Sequence, residues 1–205
     1  MTSRIMFVAI ATVLFSACAG TTGTDNQQSS TDSAEEAQPS STAQVVDYSE
    51  PDLPEEFEGQ SPPSGAAGSF STDFSRATVS FDEIISGGPP KDGIPSIDDP
   101  EFVSTDAADE WLSPDESVLV VTTGSGDERE THIYPVQILM FHEIVNDTVG
   151  GRPVTATYCP LCNTGIAFDR RFDGRKLDFG TTGRLRHSNL IMYDRQTETW
   201  WQQAT

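Results

Sequence analysis

The chain has 205 residues, with 12 Lys and Arg against 32 Asp and Glu, and a formal charge of −20 at pH 7. That balance excludes a nucleic-acid binder, whose surface has to be basic to displace counterions from phosphate. Once a leader and a polar tail are set aside, the length allows one modest domain, and the acidity is read as solubility.

Met1 to Arg4 carry one positive charge, and Ile5 to Phe15 are apolar or small except for Thr12. The run is shorter than the ~20 apolar residues of a membrane span and has the length of a signal-peptide core. Ser16, Ala17 and Cys18 follow, and they resemble a bacterial lipobox with Phe15 where Leu is usual. Residues 1–17 are therefore expected to be a lipoprotein signal peptide, with Cys18 the lipidated residue. The simpler alternative is plain secretion with Cys18 incidental. Each acyl methylene buried in a bilayer contributes about 0.8 kcal/mol, so several chains on one cysteine anchor a domain firmly. The expected address is the cell envelope, outside the cytoplasm, with the membrane as the one partner implied. No protein or small-molecule partner can be named.

Residues 18–68 are rich in Ser, Thr, Gln, Asp, Glu, Pro and Gly, and the stretch Asn26 to Ser41 holds no large hydrophobe. Such a segment cannot offset its chain entropy by burial, so it reads as a disordered acidic tether. Residues 69–205 form the expected domain.

Within that domain Val79 to Ile85 reads as a strand or a short helix, and Pro89 to Val103 as turns. Ser104 or Thr105 can cap a short helix running through Trp111 and Leu112. Ser117 to Thr122 and Glu130 to Tyr134 read as strands joined by a turn at Gly124 to Asp127. Pro135 can open a helix through about Phe141. Gly150-Gly151 fits a tight hairpin turn, after which Val154, Ala156 and Tyr158 alternate with Thr155, Thr157 and Cys159. Two more hairpins are expected, around Asp173-Gly174 and around Arg195-Gln196. Tyr158, Phe168, Tyr193, Trp200 and Trp201 read as core or face-covering aromatics. The sum is a β-rich α+β domain, mainly antiparallel hairpins with one or two short helices.

Cys159-Pro-Leu-Cys162 is the one dense chemical signal. Three readings are open. Two thiolates in a tight turn can converge on a metal ion, and copper or zinc suits thiolate and imidazole together. The third ligand would be His142, because an unbulged hairpin at Gly150-Gly151 sets residue 142 opposite residue 159, with Cβ atoms ~5 Å apart. That register works only if residue 142 is already in the strand. In the second reading the pair is a redox dithiol, although the helix start that usually carries Cys-Pro-x-Cys is missing. In the third it is a structural disulfide or a pair of inert buried thiols.

Glu143 can serve as a general acid/base or an extra ligand, against the plainer reading of a solvated carboxylate. His187, in a polar loop, is a possible further ligand. His132 reads as a surface histidine, and Asn146 and Asp147 as turn formers.

Several ordered motifs resemble one family. They are Asp92-Gly-Ile-Pro-Ser-Ile-Asp-Asp-Pro100, Tyr134-Pro135, His142-Glu-Ile-Val-Asn-Asp147, Val149-Gly-Gly151, Thr157-Tyr-Cys-Pro-Leu-Cys162 and Asn189-Leu-Ile-Met-Tyr-Asp-Arg-Gln-Thr197. Together they resemble the bacterial domain of unknown function 3179 over roughly residues 89–205. The resemblance implies an exported or lipid-anchored protein and a chain lacking the family's C-terminal part. It marks His142, Cys159 and Cys162 as motif residues without giving them a role.

Overall fold

The computed structural model describes residues 6–9 and 54–204. The lipobox, Cys18 and the tether as far as residue 53 lie outside the described residues.

In chain order the elements begin with β1 (Met6–Ala9), then β2 (Ile84–Ser86), β3 (Ile97–Asp98) and β4 (Glu101–Ser104). The Ser104 side chain accepts from the Ala107 amide and so opens α1 (Thr105–Ala108), as expected for an N-cap serine. Next come β5 (Val118–Thr123) and β6 (Glu130–Pro135), paired antiparallel from Val118↔Pro135 to Thr123↔Glu130. Pro135 caps α2 (Val136–His142), which ends where Glu143 takes φ 57° and ψ −34°. The chain re-enters extended structure as β7 (Ile144–Val149) and returns as β8 (Arg152–Cys159). Gly150 and Gly151 supply the two positive φ angles, 54° and 72°, that this two-residue turn requires.

Then follow β9 (Thr164–Asp169), the short hairpin β10 (Arg171–Phe172) and β11 (Arg175–Lys176) around Asp173-Gly174, and β12 (Phe179–Arg186). The domain closes with β13 (Asn189–Asp194) and β14 (Trp200–Gln202). This is the expected β-rich fold, mostly antiparallel, with two short helices. Two pairings are parallel: β1 with β4, and β3 with β7.

Three four-stranded sheets carry the architecture, in the orders β4-β1-β6-β5, β3-β7-β8-β9 and β14-β13-β12-β2. The β7–β8 sheet is covered on both faces. Val145, Val149, Val154, Ala156 and Tyr158 pack with Val121, Tyr134 and Leu139 from β5, β6 and α2. Ile144 and Cys159 point the other way and pack with Leu177, Phe179, Leu190 and Met192. The alternation read from β8 is therefore real, but its Thr and Cys face is as buried as its apolar face. Thr157 meets this by donating its hydroxyl to Ile166 O at 2.8 Å.

The fold begins earlier than residue 69. Ala66 is fully buried, Gln60 donates to Val79 O at 3.2 Å and accepts from Phe81 N at 2.6 Å. Residues 54–68, assigned to the tether by their composition, are held to the domain by these contacts. Burial of Pro63 and Ala66 and a few bonds from one glutamine leave no hydrophobic pattern, which is why composition alone misses it.

Two buried polar groups tie the layers together. Asn146 donates to Phe179 O at 2.8 Å and accepts from Phe179 N at 3.0 Å, joining β7 to β12. Arg170, 2 % exposed, donates to Asp147 O at 2.8 Å, to Leu177 O at 3.3 Å and to the Asp178 carboxylate. Asn146 and Asp147 are thus strand residues that clamp sheets, not turn formers.

Candidate functional site

The β8–β9 connection brings the two cysteines together. Cys159 is the last residue of β8 and pairs with Thr164, so Pro160 to Asn163 form a four-residue loop. Asn163 takes φ 51° to close it, and its side chain accepts from Tyr158 OH at 2.7 Å. Both cysteines are free thiols.

Their surroundings differ. Cys159 is 1 % exposed, and its Sγ–H faces Ser188 O at 3.5 Å. Burial, followed by its contact with Cys162, pushes the Cys159 thiol above its ordinary pKa. Cys162 is only half-buried. Partial burial works against its thiolate, but hydrogen bonds with Thr164, Asn189 and Cys159 outweigh it and bring the pKa below the ordinary thiol value.

A polar network supports the half-buried Cys162 thiol. Asn189 Nδ2 lies 3.3 Å from Cys162 Sγ and 2.9 Å from Gln203 Oε1. Gln203 in turn donates to Thr157 Oγ1 at 2.9 Å and to Thr164 O at 3.0 Å. The Ala204 amide donates to Asn189 Oδ1 at 2.8 Å, which fixes the orientation of the Asn189 amide. None of these residues is visible as a site in the sequence. The only available signal was that Asn189 and Gln203 are polar residues bracketing two apolar strands.

The β12–β13 turn completes the mouth. His187 and Ser188 both take positive φ, 51° and 62°, and this presents Ser188 O to Cys159. The His187 ring is exposed and pairs with Glu83, its Nε2 3.5 Å from Oε2.

His142 does not join the thiols. The β7–β8 register is the expected one, with Ile144 opposite Thr157, but β7 starts only at Ile144. Residue 142 is the last residue of α2, so the ladder never reaches it. Its Nδ1 sits 2.8 Å from Pro95 O, and the ring lines a cleft with Trp111, Gln137, Ile138 and Phe141. Among the described residues no three His, Cys, Asp or Glu side chains are grouped as metal ligands. The side chains that contact the Cys162 thiol are those of Thr164, Asn189 and Cys159.

Glu143 is a half-buried carboxyl, not a solvated one, and burial pushes its pKa up to about 7. His132, read as a surface residue, is buried between two carboxylates. Its Nδ1 is 2.6 Å from Asp147 Oδ2 and its Nε2 is 2.8 Å from Glu130 Oε1. Tyr134 OH donates to the same Asp147 oxygen at 2.7 Å.

A family model described as "Protein of unknown function (DUF3179)" matches residues 91–205. The chain belongs to this family. No curated protein and no solved structure matches it.

The DUF3179 match spans the whole thiol site, from Thr157 through Cys159 and Cys162 to Asn189 and Gln203. It also spans α2, His142 and the His132–Asp147 pair. What the DUF3179 thiol site can do chemically follows from its asymmetry. Cys162 is half-buried with its thiol pKa lowered by hydrogen bonds, Cys159 is buried with its pKa raised, and the two thiols interact with each other.

Proposed function

We propose that the protein is a lipid-anchored envelope protein, attached through Cys18, whose domain carries out thiol–disulfide exchange at Cys159 and Cys162. The observation that carries the reading is the unequal environment of the two thiols. The thiolate is the attacking species, and Cys162 is the less buried thiol and the one whose pKa is lowered.

The exchange balances as follows. The Cys162 thiolate attacks one sulfur of a partner disulfide, the partner's S–S bond breaks, and its other sulfur leaves as a thiolate. Cys159 then gives up its proton and attacks the Cys162 sulfur. The bond from Cys162 to the partner breaks, and the partner leaves with one sulfur carrying the proton given up by Cys159 and the other a thiolate that takes its proton from water. The pair is oxidised and the partner disulfide reduced, with two electrons transferred; the reverse sequence oxidises a dithiol partner. Asn189, held by Gln203 and Ala204, has a positioning role: it steadies the charge on Cys162 before attack and after release.

Elemental analysis with thiol titration of the protein purified from the envelope tests this reading. Exchange requires two free thiols that oxidise reversibly at moderate potential. Stoichiometric copper or zinc, lost on Cys162→Ser, would favour a metal-binding role for the two sulfurs instead. A bond that resists mild reductants would favour a purely structural disulfide.

A further inference from the structure

β9 (Thr164–Asp169) begins two residues after Cys162 and lies at the edge of the sheet β3-β7-β8-β9. Among the described residues it pairs only with β8, in the register Val154↔Asp169 to Cys159↔Thr164. Two bonds fix the direction of its backbone groups. Tyr158 N donates to Glu143 O on the β7 side, and Arg170 N donates to Pro153 O across the β8–β9 ladder. Bonded and non-bonded pairs alternate along an antiparallel ladder, so Thr164, Ile166 and Phe168 turn their N–H and C=O groups toward β8. Gly165, Ala167 and Asp169 turn theirs outward, and among the described residues no strand pairs with them. All three are exposed.

A free edge is usually blunted by Lys, Pro, a bulge or a covering element. Thr164 to Phe168 read Thr-Gly-Ile-Ala-Phe, with no charge, no Pro and no shift of register. Packing does not demand the glycine: a Cβ at residue 165 would meet Leu119 Cδ1 at 3.5 Å, an ordinary contact. Glycine in a strand does admit the close approach of another backbone. Exposed apolar side chains stand just before and just after the strand in sequence. Leu161, 67 % exposed, lies between the two cysteines, and Phe172, 44 % exposed, packs edge-on to Trp201.

We infer that the disulfide exchanged at Cys162 belongs to an extended segment of another protein, which adds to β9 as a further strand and so brings its sulfur to the thiol. The inference rests on the exchange reading above. The occupant is argued from continuity with the site: the open edge runs from Asp169 back to Thr164 and ends at the loop that carries Cys162. Main-chain bonds to Gly165, Ala167 and Asp169 hold any sequence that can extend, while Leu161 and Phe172 favour apolar neighbours of the partner's sulfur. A small-molecule disulfide has too short a backbone to use the edge.

The test compares two disulfides on the reduced protein purified from the envelope. One is oxidised glutathione. The other is an end-blocked peptide, Val-Thr-Cys-Val-Thr-Val, with its Cys joined to glutathione by a disulfide. The strand peptide should react about tenfold faster or more, with a rate that saturates. The same peptide N-methylated at every backbone nitrogen should fall back to the glutathione rate. Ala167→Pro removes an outward N–H and none from the β8 ladder, so it should abolish the advantage of the strand peptide and leave the glutathione rate unchanged. If that variant does not unfold cooperatively, the methylated peptide decides alone. Equal rates for the strand peptide and oxidised glutathione, or for the methylated and unmethylated peptides, overturn the edge while the exchange reading stands. A stable dimer that the peptide does not dissociate assigns the edge to a second copy and overturns the partner. No reaction with either disulfide overturns the exchange reading itself, and this inference with it.

Discussion

Asn189 Nδ2 stands 3.3 Å from Cys162 Sγ, and its second amide hydrogen is taken by Gln203 Oε1 at 2.9 Å. The amide therefore cannot turn away from the sulfur without breaking a buried bond. A donor fixed in this way favours the thiolate over the thiol.

Removing that donor should raise the Cys162 pKa. Asn189→Leu keeps the branched shape of the side chain but deletes the N–H, and alkylation of Cys162 by iodoacetamide at neutral pH should slow about three- to tenfold. The pH–rate profile should shift to higher pH while the plateau at high pH is preserved. A lowered plateau without a shift would mean that the substitution blocks access and leaves the charge alone. The variant also leaves the Gln203 amide oxygen short of a partner, so a stability loss of about 1–3 kcal/mol should accompany it.

Glu143 gives a pH-dependent prediction with a definite sign. Its carboxyl titrates near 7 in the folded protein because of burial, against an ordinary 4.5. A carboxyl whose folded pKa is raised favours the folded state while protonated, below about 4.5, and this is lost as pH rises through 7. Glu143→Gln should match the parent at low pH and exceed it above pH 7. Because the side chain keeps some solvent contact, screening limits the gain to about 1 kcal/mol. Denaturant titration of both proteins at several pH values checks this. A difference that does not grow between pH 4.5 and 7 would mean the carboxyl is solvated after all.

The His132 cluster predicts a stability effect that spares the thiols. His132→Ala leaves the buried Asp147 carboxylate held by the Tyr134 hydroxyl and the Thr148 amide. Removing the imidazole from a buried carboxylate to which it is hydrogen-bonded should cost about 1–3 kcal/mol in denaturant unfolding. The alkylation rate of Cys162 should not change, since the cluster lies on the opposite face of β7 from Cys159. A cost under about 1 kcal/mol would mean the pair contributes nothing net.

The parts of the fold legible in the sequence are those with local causes. The Gly150–Gly151 turn was readable because only glycine takes two positive φ angles in a row without strain, and its register followed from the turn alone. The Ser104 cap and the Pro135 helix start were readable for the same reason. β12 was not, because Gly180, Thr181, Thr182 and Gly183 break the apolar alternation and the strand carries an irregularity between Thr181 and Arg184. The polar loop at His187 is legible, but its conformation is not, since His187 and Ser188 are not residues that announce positive φ. At the site, the cysteines were plain but their inequality was not: it depends on Asn189, Ser188 and Gln203, all distant in sequence. His142 was placed with the thiols by extending a correct register two residues too far, into a helix.

The most direct test of the account is trapping with a small disulfide such as oxidised glutathione, followed by intact mass. Cys159→Ser should accumulate a mixed disulfide on Cys162, because the resolving thiol is gone. Cys162→Ser should form none at a comparable rate, and the parent should pass rapidly to an intramolecular bond between residues 159 and 162. Rapid mixed-disulfide formation on Cys159 instead, or no exchange with either variant, would contradict the assignment of Cys162 as the attacking sulfur.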